Sequence, residues 1–326
     1  MSNIRQVAKY AGVSVATVSR SLANPEKVSK KTLEKVKQAI KELDYRPNLL
    51  ARNFRASKSY SFIVLVPDIT NPFFAEVINA IEDQAQKSGY AVLLGDTRES
   101  ASREQEYVNR AETRLADGVI QLRPESLSVT SGGIPWVNAC GSEATSGASV
   151  RIDNVEAMAT IVRYVASLGH RKIGLITGKK DNAHVIDRLK GFNQAMDELS
   201  LPVNPEWNQE GDFTLESGHT CARAFCTMKE KPTAVCCMND LMAIGAMQAF
   251  KVNGLQVPAD VSITGFDDIN YACYWEPALT TMAQPAEQLG QRAATMLVDL
   301  IEGRPLAEKE TVLETQLIVR DSVRLL

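Results

Sequence analysis

Arg20 closes the segment Ser14-Val15-Ala16-Thr17-Val18-Ser19-Arg20. A guanidinium on the outer face of a short helix can fork onto O6 and N7 of guanine, or it can clamp a phosphate. Both chemistries are open to Arg20. Val15 and Ala16, one turn earlier, offer only apolar contact, for instance to a thymine methyl. Elsewhere Asp267-Asp268 follow an apolar run and have the side chains of catalytic acids. No GxSxG, paired histidine, GxGxxG or GxxxxGK[ST] accompanies them, so the chain is expected not to be an enzyme. His170, His184 and His219 are scattered, and the six cysteines show neither CxxC nor zinc spacing. No metal and no cofactor is expected.

Short helices must position the N-terminal residues. Ile4, Val7, Ala8 and Ala11 recur at helical spacing, and Gly12 can end that helix in the left-handed conformation. Ser14 suits the N-cap of a second helix, with Val18 and Leu22 turned inward and Val15 partly so. Ala16, Thr17 and Arg20 then share the outer face. Asn24-Pro25 breaks the chain, and Ser29 caps a third helix whose buried stripe is Leu33, Val36, Ile40 and Leu43. Its lysines, Lys30, Lys31, Lys35, Lys37 and Lys41, stay outside. These helices make a helix-turn-helix headpiece over residues 1–46, with a hinge over 47–58. Within the hinge, Leu49 to Arg55 is too short to be a stable helix alone in water. Phe54 between Arg52 and Arg55 suits an apolar wedge for a minor groove, or else packs on the body.

Charge separates the two parts of the chain. Residues 1–60 carry a net +9 and residues 61–326 a net −12, within a total of −3. A basic head is drawn to phosphate, while an acidic body discourages diffuse binding. The polar, promptly helical start is unlike a signal peptide, and no apolar run reaches the length of a membrane span. A cytoplasmic protein with reduced cysteines and no membrane contact is expected.

The body over 59–326 alternates strands with helices. Phe62 to Pro67, Tyr90 to Leu94, 118–122 and 134–138 read as strands, with helices over Phe74 to Lys87 and 102–116. The rhythm restarts after Asp153, with helices over 155–168, 186–199 and 240–253 and strands over 172–176, 233–237 and 261–266. Such alternation implies right-handed βαβ units, parallel sheets and two α/β lobes. Ligands of open parallel sheets sit beyond the strand C-termini, so a cleft between the lobes is the expected pocket.

The ordered motifs VAKYAGVSVATVSRSL, YRPNLLAR, VPDITNPFFAEVINAIED, GHRKIGLITG, DRLKGF, GDFTLESG, MNDLMAIGAMQAF, GLQVPADVSITGFDD and PALTTMAQP together resemble the LacI/GalR family of transcription regulators over essentially the whole chain. GDFTLESG and PDITNPFF point within it to the branch of cytidine and purine repressors. The resemblance implies a periplasmic-binding-protein-like effector domain. Its lobe 1 would span about 61–155 and 286–317, and its lobe 2 about 156–285 and 318–326, with chain crossings near 155–160, 283–286 and 317–320. It implies a homodimer on a pseudo-palindromic double-stranded DNA operator and a small effector: a nucleoside first, then a purine base or a sugar. The candidate DNA contacts are Ser14, Val15, Ala16, Thr17, Ser19 and Arg20 in the head, with Tyr45, Asn48, Phe54 and Arg55 at the hinge. Phe54 stands where leucine is usual. The implied effector contacts are Phe73, Phe74, Asn138, Arg188, Phe213, Asn239 and Asp267. Each Phe can otherwise be core, and Arg188 with Asp267 can otherwise be a structural ion pair. The chain ends without trailing leucine heptads, so a dimer is expected and not a tetramer. The alternative of another class is a solute-binding protein without DNA function.

Arg20→Ala is expected to cost ~1–3 kcal/mol of operator affinity and to relax specificity at one position if Arg20 reads a base. Binding measured across an operator series would instead show an equal loss on every sequence if it clamps a phosphate.

Overall fold

The computed structural model describes residues 3–45, 58–123, 133–141 and 147–326. Contacts divide the chain into two units, Met1–Ser59 and Tyr60–Leu326.

In the first unit, helix α1 (Ile4–Ala11) opens with a capping box. Asn3 accepts from the Gln6 amide, and Gln6 accepts from the Asn3 amide. Gly12 ends α1 at φ 65°. Ser14 caps α2 (Val15–Ala23), accepting from the Thr17 amide at 3.1 Å. Ser29 caps α3 (Lys30–Glu42) in the same way. Val7, Val18, Val36 and Ala39 form the small core. The inward position expected for Leu22 belongs to Ser21. Its hydroxyl donates to the Thr17 carbonyl and is buried against the helix, while Leu22 is 38% exposed.

The second unit holds two six-stranded sheets. The first contains β1 (Ser61–Val66), β2 (Ala91–Asp96), β3 (Val119–Gln121), β4 (Trp136–Ala139), β5 (Ala148–Ile152) and β11 (Glu310–Leu313), in the order β11-β5-β4-β3-β1-β2. All of its pairings are parallel. The second contains β6 (Ile173–Thr177), β7 (Asn208–Glu210), β8 (Ala234–Cys237), β9 (Ser262–Asp267), β10 (Thr280–Ala283) and β12 (Gln316–Ile318), in the order β12-β10-β9-β8-β6-β7. There only β12 is antiparallel. Strand β1 shows why the interior strands read as continuous apolar runs. Phe62, Val64 and Val66 enter one core cluster, and Ile63 and Leu65 enter another on the opposite face.

Helices cover the sheets: α4 (Pro72–Lys87), α5 (Ala101–Arg110) and α10 (Ala286–Ile301) in lobe 1, and α6 (Asn154–Ser167), α7 (Ala183–Glu198), α8 (Leu215–Thr227) and α9 (Asp240–Val252) in lobe 2. The helix expected over 102–116 stops at Arg110. Beyond it the chain winds as a wider π turn in which Arg114 takes φ 65°. Strand pairing sets the crossings. Strand β5 lies in the first sheet and α6 packs on α7, so the first crossing falls at Asp153, ahead of the expected 155–160. The second lies between Ala283 and Ala286. Met282 pairs with Leu317, which moves the third to 314–315 from the expected 317–320.

Helices α8 and α9 meet almost backbone to backbone. A Cβ at Gly245 would lie 2.0 Å from the Leu215 carbonyl oxygen, and one at Gly218 2.1 Å from that of Met242. Gly245→Ala is expected to destabilise the body by about 1–3 kcal/mol through overpacking. Denaturant melts of the two forms measure the difference, and equal midpoints would contradict it.

Candidate functional site

In the first unit, α2 turns Val15, Ala16 and Arg20 outward, and Ser19 is half-buried. Thr17 is half-buried, and its hydroxyl pairs with that of Ser14 at 2.9 Å. These two hydroxyls therefore serve the cap as well as facing solvent. Tyr45 packs partly against the head's own core. Asn48, Phe54 and Arg55 lie outside the described residues.

In the second unit, the loops after β1 and β2 face those after β6, β8 and β9 across a cleft of about 420 Å³. Strands β1 to β4 and β6 to β9 run parallel, so strand C-termini deliver residues from both sides. Phe73, Phe74, Arg188, Phe213, Asn239 and Asp267 all line it. Asn138 does not. Its amide nitrogen donates to the Arg123 carbonyl at 2.9 Å, so it braces a lining residue from behind. The cleft also brings in residues that motif reading missed: Asp96, Arg98 and Glu99 from lobe 1, and Asn182, His184 and Gln284 from lobe 2. His184 stands one helical turn before Arg188, a spacing that could have pointed to it.

Phe213 and Asn239 form one device. Phe213 sits at φ 69°, its ring pressed on Gly178, where a Cβ would come within 2.3 Å. Asn239 donates to the Phe213 carbonyl at 2.9 Å and accepts from the Met242 amide as the N-cap of α9. Its amide thus holds the aromatic wall in a costly left-handed conformation.

Arg188 is 4% exposed. Its Nε donates to Asn154 Oδ1 at 2.8 Å, its Nη1 donates to the Met238 carbonyl, and its Cζ lies 3.6 Å from the centroid of the Phe266 ring. Burial lowers its pKa to about 10, so it stays charged at neutral pH. Burial also pushes Asp267 up to about 7, against the opposing pull of Arg188 and of Gln284, whose amide donates to it at 2.7 Å. Below Asp267, the fully buried Asp240 accepts from Thr281 and from the Ile269 amide, and burial holds it well above the usual carboxylate range. Burial and the Arg188 charge lower His184 to about 3, leaving it neutral. Lys179 and Glu99 pair across the cleft mouth. The cleft therefore offers aromatic faces, one acid near neutrality, one buried cation and a neutral imidazole. Among the described residues no group of three or more His, Cys, Asp or Glu is placed to hold a metal ion, and no helix is long and apolar enough to cross a membrane.

Residues 3–48 match the model of the bacterial regulatory proteins of the lacI family, and residues 162–323 match a periplasmic binding protein-like domain. The chain is 36% identical to the HTH-type transcriptional repressor CytR of Escherichia coli K12, covering 100% of this chain and 97% of that protein. It is 37% identical to the repressor PurR of Proteus mirabilis, covering 99% and 97%. Its fold matches the lac repressor dimer bound to operator and an anti-inducer, with a TM-score of 0.91 and 28% identity over 99% of each chain.

Asp267 gives a pH signature with a definite sign. The folded state holds its proton more tightly than the unfolded chain, where the ordinary value is 3.8. Its contribution to stability is therefore full below about pH 4 and is lost progressively as pH rises to about 7. Asp267→Asn should gain on the parent protein in melting temperature as pH rises from about 5 to about 8. A difference that stays constant across that range would remove the claim.

Proposed function

The chain belongs to the LacI family of bacterial regulatory proteins, and we propose that it is a ligand-responsive transcriptional repressor that binds a pseudo-palindromic operator as a homodimer and takes a nucleoside in the interlobe cleft. One observation carries this reading. The same chain joins a helix-turn-helix, with Val15, Ala16 and Arg20 outward, to a cleft lined by half-buried Phe74 and Phe213, core-packed Phe73, Asp267 and Arg188. Phe74 and Phe213 supply faces for a planar base, with Phe73 packed edge-on behind Phe74. Asp267 and Gln284 suit vicinal hydroxyls, and Arg188 keeps its Nη2 free of protein hydrogen bonds among the described residues. That the matched relatives are named as transcriptional repressors supports a cleft that binds its ligand without transforming it. A cytoplasmic location follows from the need to reach DNA.

In the head, Ser14, Val15, Ala16, Thr17, Ser19 and Arg20 would face the major groove, with Tyr45, Asn48, Phe54 and Arg55 at the hinge. Dimer formation has a candidate surface in the body. Tyr274 is 86% exposed, Tyr271 58% and Val252 61%, beside a partly exposed Trp275. Aromatic residues so displayed are enriched in protein interfaces. Ligand closure of the lobes would shift the paired bodies, and a coupling of ~1–3 kcal/mol suffices to change operator occupancy.

A thermal-shift screen of the protein against nucleosides, nucleobases and sugars tests the cleft. A nucleoside at about 100 times its Kd should stabilise the body by ~2.7 kcal/mol. A response only to a nucleobase or a sugar would reassign the effector class, and no response to any of the three would overturn the reading. Tyr274→Asp should sediment as a monomer and lose dyad-symmetric footprinting. An intact dimer would place the interface elsewhere.

A further inference from the structure

We propose that Asn154 is a positioning residue that fixes Arg188 and His184 together, so that His184 presents its Nε2–H to the cleft as a hydrogen-bond donor. The role toward ligand rests on the cleft being the effector site. The state of the ring does not.

The hydrogen-bond logic leaves one arrangement. Arg188 Nε meets the Asn154 side chain at 2.8 Å, and a guanidinium can only donate. The amide oxygen of Asn154 therefore faces Arg188, and its nitrogen faces His184 Nδ1 at 3.3 Å. An amide nitrogen also only donates, so Nδ1 accepts and the single proton of the neutral ring sits on Nε2. His184 Nε2 has no protein partner among the described residues, and His184 lines the cleft. Asn182 fixes the start of the helix beneath it by accepting from the His184 backbone amide at 2.9 Å.

Asn154 is 3% exposed and is not part of the cleft wall. It is the first residue of α6, immediately after the first crossing between lobes. Helix α7, which carries both Arg188 and His184, is pressed onto that point: a Cβ at Gly191 would lie 2.0 Å from the Val155 carbonyl oxygen. Neither helix can slide without disturbing the amide bridge. The consequence for recognition is chemical. The ligand must place an acceptor, such as a base carbonyl or a sugar oxygen, opposite His184.

Ring ¹⁵N spectra of the unliganded protein, with His184 assigned from its loss in His184→Gln, test the bridge directly. The expected result is an unprotonated Nδ1 and a protonated Nε2. Asn154→Asp replaces the donor facing Nδ1 with an acceptor and should move the proton to Nδ1. A native ring protonated on Nδ1, or an Asp variant with the native tautomer, overturns the proposal, and the native spectrum alone decides if that variant does not fold. For the ligand arm, cytidine, uridine and adenosine are titrated by calorimetry. His184→Leu should weaken whichever binds at least tenfold, and His184→Gln, which retains a donor, should stay within threefold. Unchanged binding in His184→Leu overturns the donor role. If none of the probes binds, the nucleoside reading fails while the spectra still decide the tautomer.

Discussion

A guanidinium almost out of reach of water constrains this molecule more than any other group. An ionised side chain at 4% exposure is costly unless hydrogen bonds and neighbouring groups offset the lost hydration. Arg188 is met by a carbonyl after β8, a ring on β9, an amide at the start of α6 and the field of Asp267. Four elements of lobe 2 are thus held in register by one charge. The directions in which burial shifts the two ions set them apart from a simple salt bridge. Arg188 is lowered and Asp267 is raised, each by burial first and with the partner only offsetting it. A lone ion pair would move both the other way. The cation is secured by hydrogen bonds and a ring face, which leaves the acid near neutrality and open to a ligand hydroxyl.

Topology supplies the second constraint. The chain passes between lobes at Asp153, at 284–285 and at 314–315, so neither lobe is contiguous in sequence. Helix α10 returns to pack on α4, and β11 completes the first sheet before β12 joins the second. Relative movement of the lobes must be absorbed at these narrow points. Lys179 and Glu99 pair across the opening, and Arg320 pairs with Asp268 at 2.7 Å close to the third crossing. A solvent-exposed pair such as Lys179–Glu99 contributes only about 0–1 kcal/mol. Lys179 is half exposed, so its pair with Glu99 can bias closure but cannot decide it. Under the proposed reading, the deciding interactions would be those a ligand makes with both walls.

What the sequence disclosed follows from the range of the signal. Caps at Ser14 and Ser29 and the two-faced burial of β1 are local and readable. Leu22 was not, because Ser21 turned inward to bond a carbonyl one turn back. Arg188, Phe213 and Asp267 belong to dense motifs. Asn138 looked equivalent by type, yet its amide is spent on the Arg123 backbone. The link from His184 to Asn154 spans 30 residues and depends on α6 and α7 meeting at Gly191. No periodicity encodes that encounter. The strands β5, β7, β10, β11 and β12 are short, at three to five residues, and take their identity from pairing partners far away in the chain.

The head must then be weighed against the task of selecting one site. The +9 charge of head and hinge together, residues 1–60, set against −12 for residues 61–326, gives attraction for any phosphate backbone but no discrimination. The outward face of α2 offers one residue, Arg20, able to make a bidentate base contact, which is worth ~1–3 kcal/mol against a wrong base. Specific operators are typically preferred over random DNA by ~4–10 kcal/mol. A single head falls short of that range. Two heads on a symmetric partner would supply about 2–6 kcal/mol from the same contacts, which reaches only its lower edge. A regulator poised at that edge is sensitive to a small push. Under the proposed reading, an effector coupling of ~1–3 kcal/mol is comparable to the margin between bound and unbound operator, so a plain reading face would leave room for a small ligand to act.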